Sequence, residues 1–336
     1  MTADITPTPP SPADDDVLLR IENLVKHFPV QAGSLIRREK AVVHAVDGVN
    51  LQVRRGQTLG LVGETGCGKS TLARCVMRLY DITSGRIFFD GQDISTLSAR
   101  RMRPFRRQIQ MIFQDPYGSL NPRRRVGAII GDPLAIQRIA RGKERKRRVQ
   151  EVMELVGLNP EHYNRFPAEF SGGQRQRIGI AKALATRPKL IVADEPTSAL
   201  DVSVQAQILN LLRQLQKELG LTYLFISHNI AVIRHISDRV GVMYLGKVIE
   251  VAEKKAIFQF PVHPYTRALL SAVPSLDPKK RREEVPIEGD VPSPIHPPSG
   301  CHFHTRCRNA LPKCYEEEPF FHQIEDGRWV SCHLYR

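Results

Sequence analysis

QTLGLVGETGCGKSTLARCVMRL, residues 57–79, decides how this chain folds. A short apolar run leads into a glycine-rich turn, and a segment predicted to be helical begins at Lys69. Within it, GETGCGKS at 63–70 fits G-x-x-x-x-G-K-[ST]. Glycines let a backbone wrap closely around a phosphate with its N–H groups turned inward. The start of the following helix adds partial positive charge. Lys69 is placed to reach the β- and γ-phosphates of ATP, and the Ser70 hydroxyl to hold Mg²⁺. Gly63, Glu64, Thr65, Gly66, Cys67, Gly68, Lys69, Ser70 and Thr71 are therefore the expected ATP-binding loop.

Working outward, LIVADE at 190–195 reads as a buried strand ending in two carboxylates. Asp194 is expected to hold Mg²⁺, directly or through water, and Glu195 to act as general base on the attacking water. Strands are predicted at 17–30, 43–62, 86–90, 109–113, 189–193, 222–226 and 239–244. Between 125 and 187 the pattern is helical: Val149, Val152, Met153 and Val156 share one helix face. Val204, Ile208, Leu211, Leu212 and Leu215 do the same on a later helix. Strands alternating with helices imply an α/β fold with a mainly parallel core sheet, into which the helical block at about 115–187 is inserted.

FSGGQRQRIGIAKAL at 170–184 discriminates further. Ser-Gly-Gly-Gln at a helix start makes an anion site from hydroxyl, backbone N–H groups and helix dipole. SGGQ, preceded by the phosphate loop and followed by ADE, resembles the nucleotide-binding subunits of ATP-binding cassette (ABC) proteins. The resemblance implies a phosphate-loop ATPase with a RecA-like mixed sheet, an antiparallel β subdomain and an inserted helical subdomain. By that resemblance Phe28 is the aromatic that stacks on adenine, a plain core Phe being the alternative. Gln114 contacts Mg²⁺ and responds to the membrane partner. Ser198, Ala199, Leu200 and Asp201 form the loop that runs between two subunits, and His228 is the switch on the γ-phosphate. Ser171, Gly172, Gly173 and Gln174 face ATP held by a partner, so that ATP joins two subunits and hydrolysis parts them.

QDPYGSLNPR at 114–123, HPYTRALLSAVP at 263–274 and SPIHPPSGCHFHTRC at 293–307 resemble the ATP-binding subunits of dipeptide and oligopeptide importers. The match is nearest to the F-type ATPase subunit of bacterial dipeptide permeases; nickel and glutathione importers share parts of it. The resemblance implies a second, related ATPase subunit, two transmembrane permease subunits and, indirectly, a periplasmic peptide-binding protein. It places the chain peripherally on the cytoplasmic face of the bacterial inner membrane. A short helix of a membrane subunit is expected in the groove around Gln114 to Arg125.

Composition bounds the rest. Charged residues make up 25% and hydrophobic residues 41% of the 336, an ordinary globular balance. No apolar run approaches the roughly 18 residues that cross a bilayer. Residues 1–16, acidic and Pro-rich, read as a disordered tail rather than a signal peptide. The nucleotide-binding domain is expected over 17–273, a Pro-rich linker over 274–300 and a small Cys-rich region over 301–336. The net charge of +14 collects in RRMRPFRR (100–107), RRR (123–125) and RGKERKRR (141–148). These runs suit nucleic acid, anionic lipid or solvated helix faces. A soluble ABC ATPase acting on nucleic acid is the competing class; with one cassette and no heptad repeats here, no nucleic-acid partner is expected.

Cys301, Cys307, Cys314 and Cys332 are spaced C-x5-C-x6-C-x17-C. Cytoplasmic proteins rarely keep disulfides, so four clustered cysteines suggest a metal. The close pairs typical of zinc sites are missing. Four thiolates also suit a [4Fe–4S] cluster, which the importer resemblance favours, leaving zinc or free thiols as alternatives.

Overall fold

The computed structural model describes residues 16–32, 39–115, 118, 120–271, 289–325 and 327–335. The expected N-terminal tail apart from Asp16, and the expected linker as far as residue 288, lie outside these residues. In chain order the strands are β1 (Val17–Ala32), β2 (Glu39–Arg54), β3 (Thr58–Val62), β4 (Ser84–Phe89), β5 (Gln92–Asp93), β6 (Ile109–Ile112), β7 (Leu190–Asp194), β8 (Thr222–Ile226), β9 (Arg239–Tyr244), β10 (Lys247–Glu253), β11 (His322–Glu325) and β12 (Arg328–Val330).

Every residue of β3, β7 and β8 is buried. Such unbroken apolar runs belong to strands covered on both faces, as in parallel sheets. They form the middle of a parallel set ordered β9-β3-β8-β7-β6. β10 adds antiparallel to β9, β12 to β10 and β11 to β12, so the C-terminal region extends the same sheet. A second, antiparallel sheet has the order β2-β1-β4-β5. Leu19 and Ile21 of β1 stand opposite Phe89 and Ile87 of β4. These four pack with Leu72, Ala73 and Val76 of the helix Lys69–Val76 in one core beneath the phosphate loop.

The inserted helical block consists of helices Val126–Ile136, Gly142–Leu155 and Gly172–Leu184. Val126, Ile130, Leu134, Val149, Met153 and Ile178 are all fully buried between them and belong to the core under the parallel strands. Each such side chain contributes about 1.5–3 kcal/mol by leaving water. Along Val202–Leu219, Ile208, Leu212 and Leu215 are fully buried, whereas Val204 packs at the margin of the core. The fold is a mixed α/β assembly with one eight-stranded, mainly parallel sheet and one antiparallel sheet.

Two of the basic runs are partly neutralised by nearby carboxylates. Arg147 pairs with Glu144 and Glu151, Arg148 with Glu144, and Arg124 with Asp132. Among the described residues, no helix is long and apolar enough to cross a membrane.

Candidate functional site

Parallel strands bring their C-terminal ends to one edge of the sheet, and ligands bind there. The phosphate loop follows β3, Gln114 follows β6, Glu195 follows β7 and His228 follows β8. Four segments distant in sequence therefore converge because β3, β8, β7 and β6 are neighbours in that order.

The loop is shaped by backbone packing. A Cβ on Gly63 would lie 2.0 Å from the Met243 carbonyl oxygen. One on Gly68, where φ is +105°, would lie 2.0 Å from the Ala45 carbonyl oxygen. Only glycine fits either position. Cys67 is buried, whereas Thr65 and Gly66 are exposed at the tip. Lys69 Nζ donates to the carbonyls of Gly63 at 2.7 Å and Glu64 at 2.8 Å. Ser70 begins the helix with Lys69, and Thr71 follows half-buried.

Ser70 Oγ donates to Asp194 Oδ1 at 2.8 Å. Burial raises the Asp194 pKa above the usual carboxylate value, although the Ser70 hydrogen bond and the nearby Arg74 and Lys69 oppose the shift. A hydroxyl and a carboxylate side by side are the hard oxygen donors that suit Mg²⁺. Glu195 is the centre of a polar triad. It accepts from Gln114 Nε2 at 3.0 Å on one oxygen, and His228 Nδ1 lies 3.0 Å from the other. Its φ of +48° falls in the left-handed region, a conformation that costs of order 1–3 kcal/mol for a non-glycine residue. The Glu195 N–H donating to Ile226 O at 2.9 Å and Ser198 Oγ donating to Glu195 O at 3.1 Å hold that conformation.

Phe28 is half-buried on β1, edge-on to Tyr80 at 5.4 Å, with Lys26 Nζ 4.6 Å from its ring. Phe28 is thus partly exposed and not a fully buried core side chain. Ser171 caps the helix Gly172–Leu184: Ser171 Oγ accepts from Gln174 N at 3.3 Å, and Gln174 Oε1 accepts from Ser171 N at 3.0 Å. That reciprocal box fixes the turn. Gly173 faces Val204 and Gly172 faces Leu200. The helix leans on the β6 side of the sheet, where Gln176, Gly179, Lys182 and Ala183 line a groove with Gln110 and Phe113. β6 lies three strand spacings from β3, about 14 Å. Ser171 and Gln174 are exposed. Ser198, Ala199 and Asp201 are also exposed, and Leu200 is half-buried.

The C-terminal region supplies contacts that sequence reasoning missed. Tyr265 Oη accepts from Glu64 N at 3.1 Å, and Arg306 Nη1 donates to Glu64 Oε2 at 3.0 Å. Arg306 stands 242 residues from Glu64, so no local pattern joins them. A second unforeseen group is His27, His44 and Asp47, whose ligand-type atoms lie within 4.8 Å of one another. Asp47 bonds His27 Nε2 through one oxygen and Lys247 Nζ through the other, both at 3.2 Å. Burial raises the Asp47 pKa, but Lys247 and then His27 outweigh it and the net shift is downward.

A profile of the family described as ABC transporter matches residues 46–198. A second, described as the C-terminal region of oligopeptide/dipeptide transporters, matches residues 249–314. The chain is 53% identical over 322 residues to the putative oligopeptide transport ATP-binding protein YkfD of Bacillus subtilis, covering 95% of this chain and 96% of the relative. It is 52% identical to the oligopeptide transport ATP-binding protein AppF of the same organism, covering 96% of this chain and 99% of that one. Among solved structures, a dimeric ATP-binding cassette in a post-hydrolysis state with ADP and phosphate superposes with a TM-score of 0.62. That cassette is 29% identical, with 70% of this chain and 99% of that chain covered.

The expected iron–sulfur cluster, and zinc in its place, is corrected by these findings. Among the described residues, three or more His, Cys, Asp or Glu ligand atoms converge at His27, His44 and Asp47, not at Cys301, Cys307, Cys314 and Cys332. The relatives are described as ATP-binding transport proteins and nothing more. The thiols instead pack as small apolar groups. Cys314 and Cys332 are buried, and Cys301 and Cys307 lie against the core. Burial pushes the Cys301 thiol up to about 12 and that of Cys332 to about 11, which keeps both protonated. Spacing along the chain suggests a ligand set, and the four thiols are close enough to influence one another electrostatically, but among the described residues no three of their sulfurs lie within 4.8 Å of one another.

Proposed function

The chain belongs to the ATP-binding proteins of ABC transporters, and from that premise we propose that it is the ATP-hydrolysing subunit of a peptide importer. The observation that carries the reading is the convergence of the phosphate loop, Asp194, Glu195, Gln114 and His228 on adjacent strand ends. The peptide cargo follows from the names of the relatives and from the oligopeptide-type C-terminal region.

In this reading Lys69 and the loop N–H groups bind the β- and γ-phosphates. Ser70 and Asp194, with Gln114, would hold Mg²⁺, whose charge would offset that of the phosphates. Glu195 orients the attacking water and takes its proton. Gln114 and His228, bonded to its two oxygens, fix the direction of that carboxylate, and His228 also senses the γ-phosphate. Phe28 stacks on adenine.

The site is completed by a second, related ATPase subunit. Ser171 and Gln174 are exposed, as are Ser198, Ala199 and Asp201, and on this reading the Ser171–Gln174 turn and the Ser198–Asp201 loop meet ATP and protein across a dimer interface. The short helix of one of two permease subunits, expected around Gln114 to Arg125, is on this reading received beside that stretch, in the groove lined by Leu79, Phe113 and Gly179. Leu79 and Phe113 are 52% and 43% exposed, apolar surface that such a helix would cover. The subunit then sits on the cytoplasmic face of the inner membrane, served indirectly by a periplasmic peptide-binding protein. Residues 17–273 form the nucleotide-binding domain, and 301–336 a C-terminal region attached to it.

The test is peptide uptake by vesicles containing the assembled transporter. Glu195→Gln is expected to retain MgATP and to stop both hydrolysis and uptake. Uptake at the wild-type rate would reject the assignment.

A further inference from the structure

Glu64 is the one acidic residue in the phosphate loop, and each of its polar groups is engaged. Its N–H donates to Tyr265 Oη, its carbonyl accepts from Lys69 Nζ at 2.8 Å, and its carboxylate accepts from Arg306. The residue therefore joins the loop lysine to the C-terminal region.

The Arg306 side of that link is rigid. Arg306 ends a short 3₁₀ turn, His304–Arg306, that follows Phe303. Phe303 is 3% exposed and packs against Tyr244 at 5.2 Å, Tyr265 at 5.4 Å and His263 at 5.9 Å between ring centroids. Tyr244 and Tyr265 themselves stand 4.7 Å apart. The Arg306 guanidinium lies 5.9 Å from the Tyr244 ring centroid and bonds the Tyr244 hydroxyl at 3.4 Å. Its side chain is only 7% exposed. Burial alone would lower the guanidinium pKa, but the bonds to Glu64 and Tyr244 outweigh it and keep the charge in place.

A carboxylate inside a loop built for a triphosphate is an electrostatic liability. It repels the ligand across a partly dry site, where charges are poorly screened. Resting on the reading of this loop as the ATP site, we propose that Arg306 is a positioning residue for ATP. It neutralises Glu64 and, through that residue's backbone, holds the carbonyl that seats Lys69. The C-terminal region is on this account a part of the nucleotide site.

MgATP titration of the full chain by calorimetry tests this, with thermal unfolding measured alongside. Arg306→Gln fills the same pocket without the charge and is expected to weaken MgATP binding about 5- to 10-fold, the size of a broken charge coupling. The loss should shrink in high salt. Adding Glu64→Gln removes the stranded carboxylate and is expected to restore affinity to within about 2-fold of wild type. Arg306→Lys keeps the charge and is expected to bind like wild type. An unchanged dissociation constant in Arg306→Gln overturns the proposal, whatever the unfolding temperature does. So does a double variant as weak as the single one, because a collapsed tail would give that result. A wild-type chain that does not bind MgATP would overturn the ATP reading as well, so the two failures are distinguishable.

Discussion

The phosphate loop is held on two sides by different physics. On the side of β6, β7 and β8 its neighbours are polar: Gln114, Glu195 and His228 are linked by two hydrogen bonds of 3.0 Å, and the His228 side chain is 50% exposed. On the side of the C-terminal region they are aromatic and dry: Tyr244, Tyr265, Phe303 and His263 are at most 3% exposed. Exchangeable hydrogen bonds near water can re-form at small cost as a phosphate arrives and leaves. Interlocked rings in a close-packed interior move together or not at all. The difference separates a face that can rearrange in each cycle from a face that fixes where the loop begins.

The sharpest way to break that comparison is to exchange the effects. Glu195→Gln should lower ATP turnover about 10²- to 10⁴-fold, the range of a lost general base, while unfolding by denaturant stays near wild type. Phe303→Ala should do the opposite. Removing a buried ring is expected to cost about 3–5 kcal/mol in the denaturant midpoint, while turnover at saturating ATP by the folded protein stays within a few-fold of wild type. If Glu195→Gln unfolded the protein, or Phe303→Ala stopped turnover at saturating ATP, the two faces would not be separate.

A pH series sharpens the dry face alone. His263 is buried, its Nδ1 accepts from Tyr265 N at 3.0 Å, and burial lowers its pKa from 6.5 to about 3. A group whose folded pKa is depressed binds its proton more readily in the unfolded chain. The stabilisation from neutral His263 is therefore complete above about pH 6.5 and is lost as pH falls toward 3. Between pH 6.5 and 5 that amounts to about 2 kcal/mol. His263→Asn, whose side-chain oxygen can accept the same bond, should flatten this part of the stability profile. An unchanged slope would show that His263 is not held neutral. The smallest effect belongs to Cys332→Ser, expected to cost about 1–2 kcal/mol of stability by burying a hydroxyl in place of a thiol, with MgATP affinity unchanged.

The strand-end face was legible in the sequence because its signals are local. TLGLV, LIVAD and TYLFI are apolar but for a Thr or Asp at one end, and each chemical group stands at or after the end of such a run. Once the strands are parallel and adjacent, Lys69, Asp194, Glu195 and His228 have to meet. The dry face carries no comparable signal. Tyr265 and Arg306 reach Glu64 from 201 and 242 residues away. β12 has Arg328 at its start and no long apolar run, yet it pairs with β10. The cysteine tail shows the reverse error. Its spacing was conspicuous, but metal binding depends on convergence in three dimensions, which spacing alone does not determine.

One carboxylate at the edge of the parallel strands bears on the order in which the domain is made. Glu250 of β10 is fully buried and holds the backbone N–H groups of Val262 and His263, with Arg328 as its counter-charge at 3.1 Å. Arg328 is synthesised 78 residues later. At roughly 5–20 residues per second, Glu250 waits on the order of 4–16 s for its partner on a ribosome. Over that interval β10 is an open sheet edge carrying an acid without its counter-charge, and an open edge is a template for wrong pairing. Lys69, Asp194, Glu195 and His228 are all made before that interval begins, whereas this flank can close only once Arg328 has been made, so it is a place where a nascent chain needs shielding.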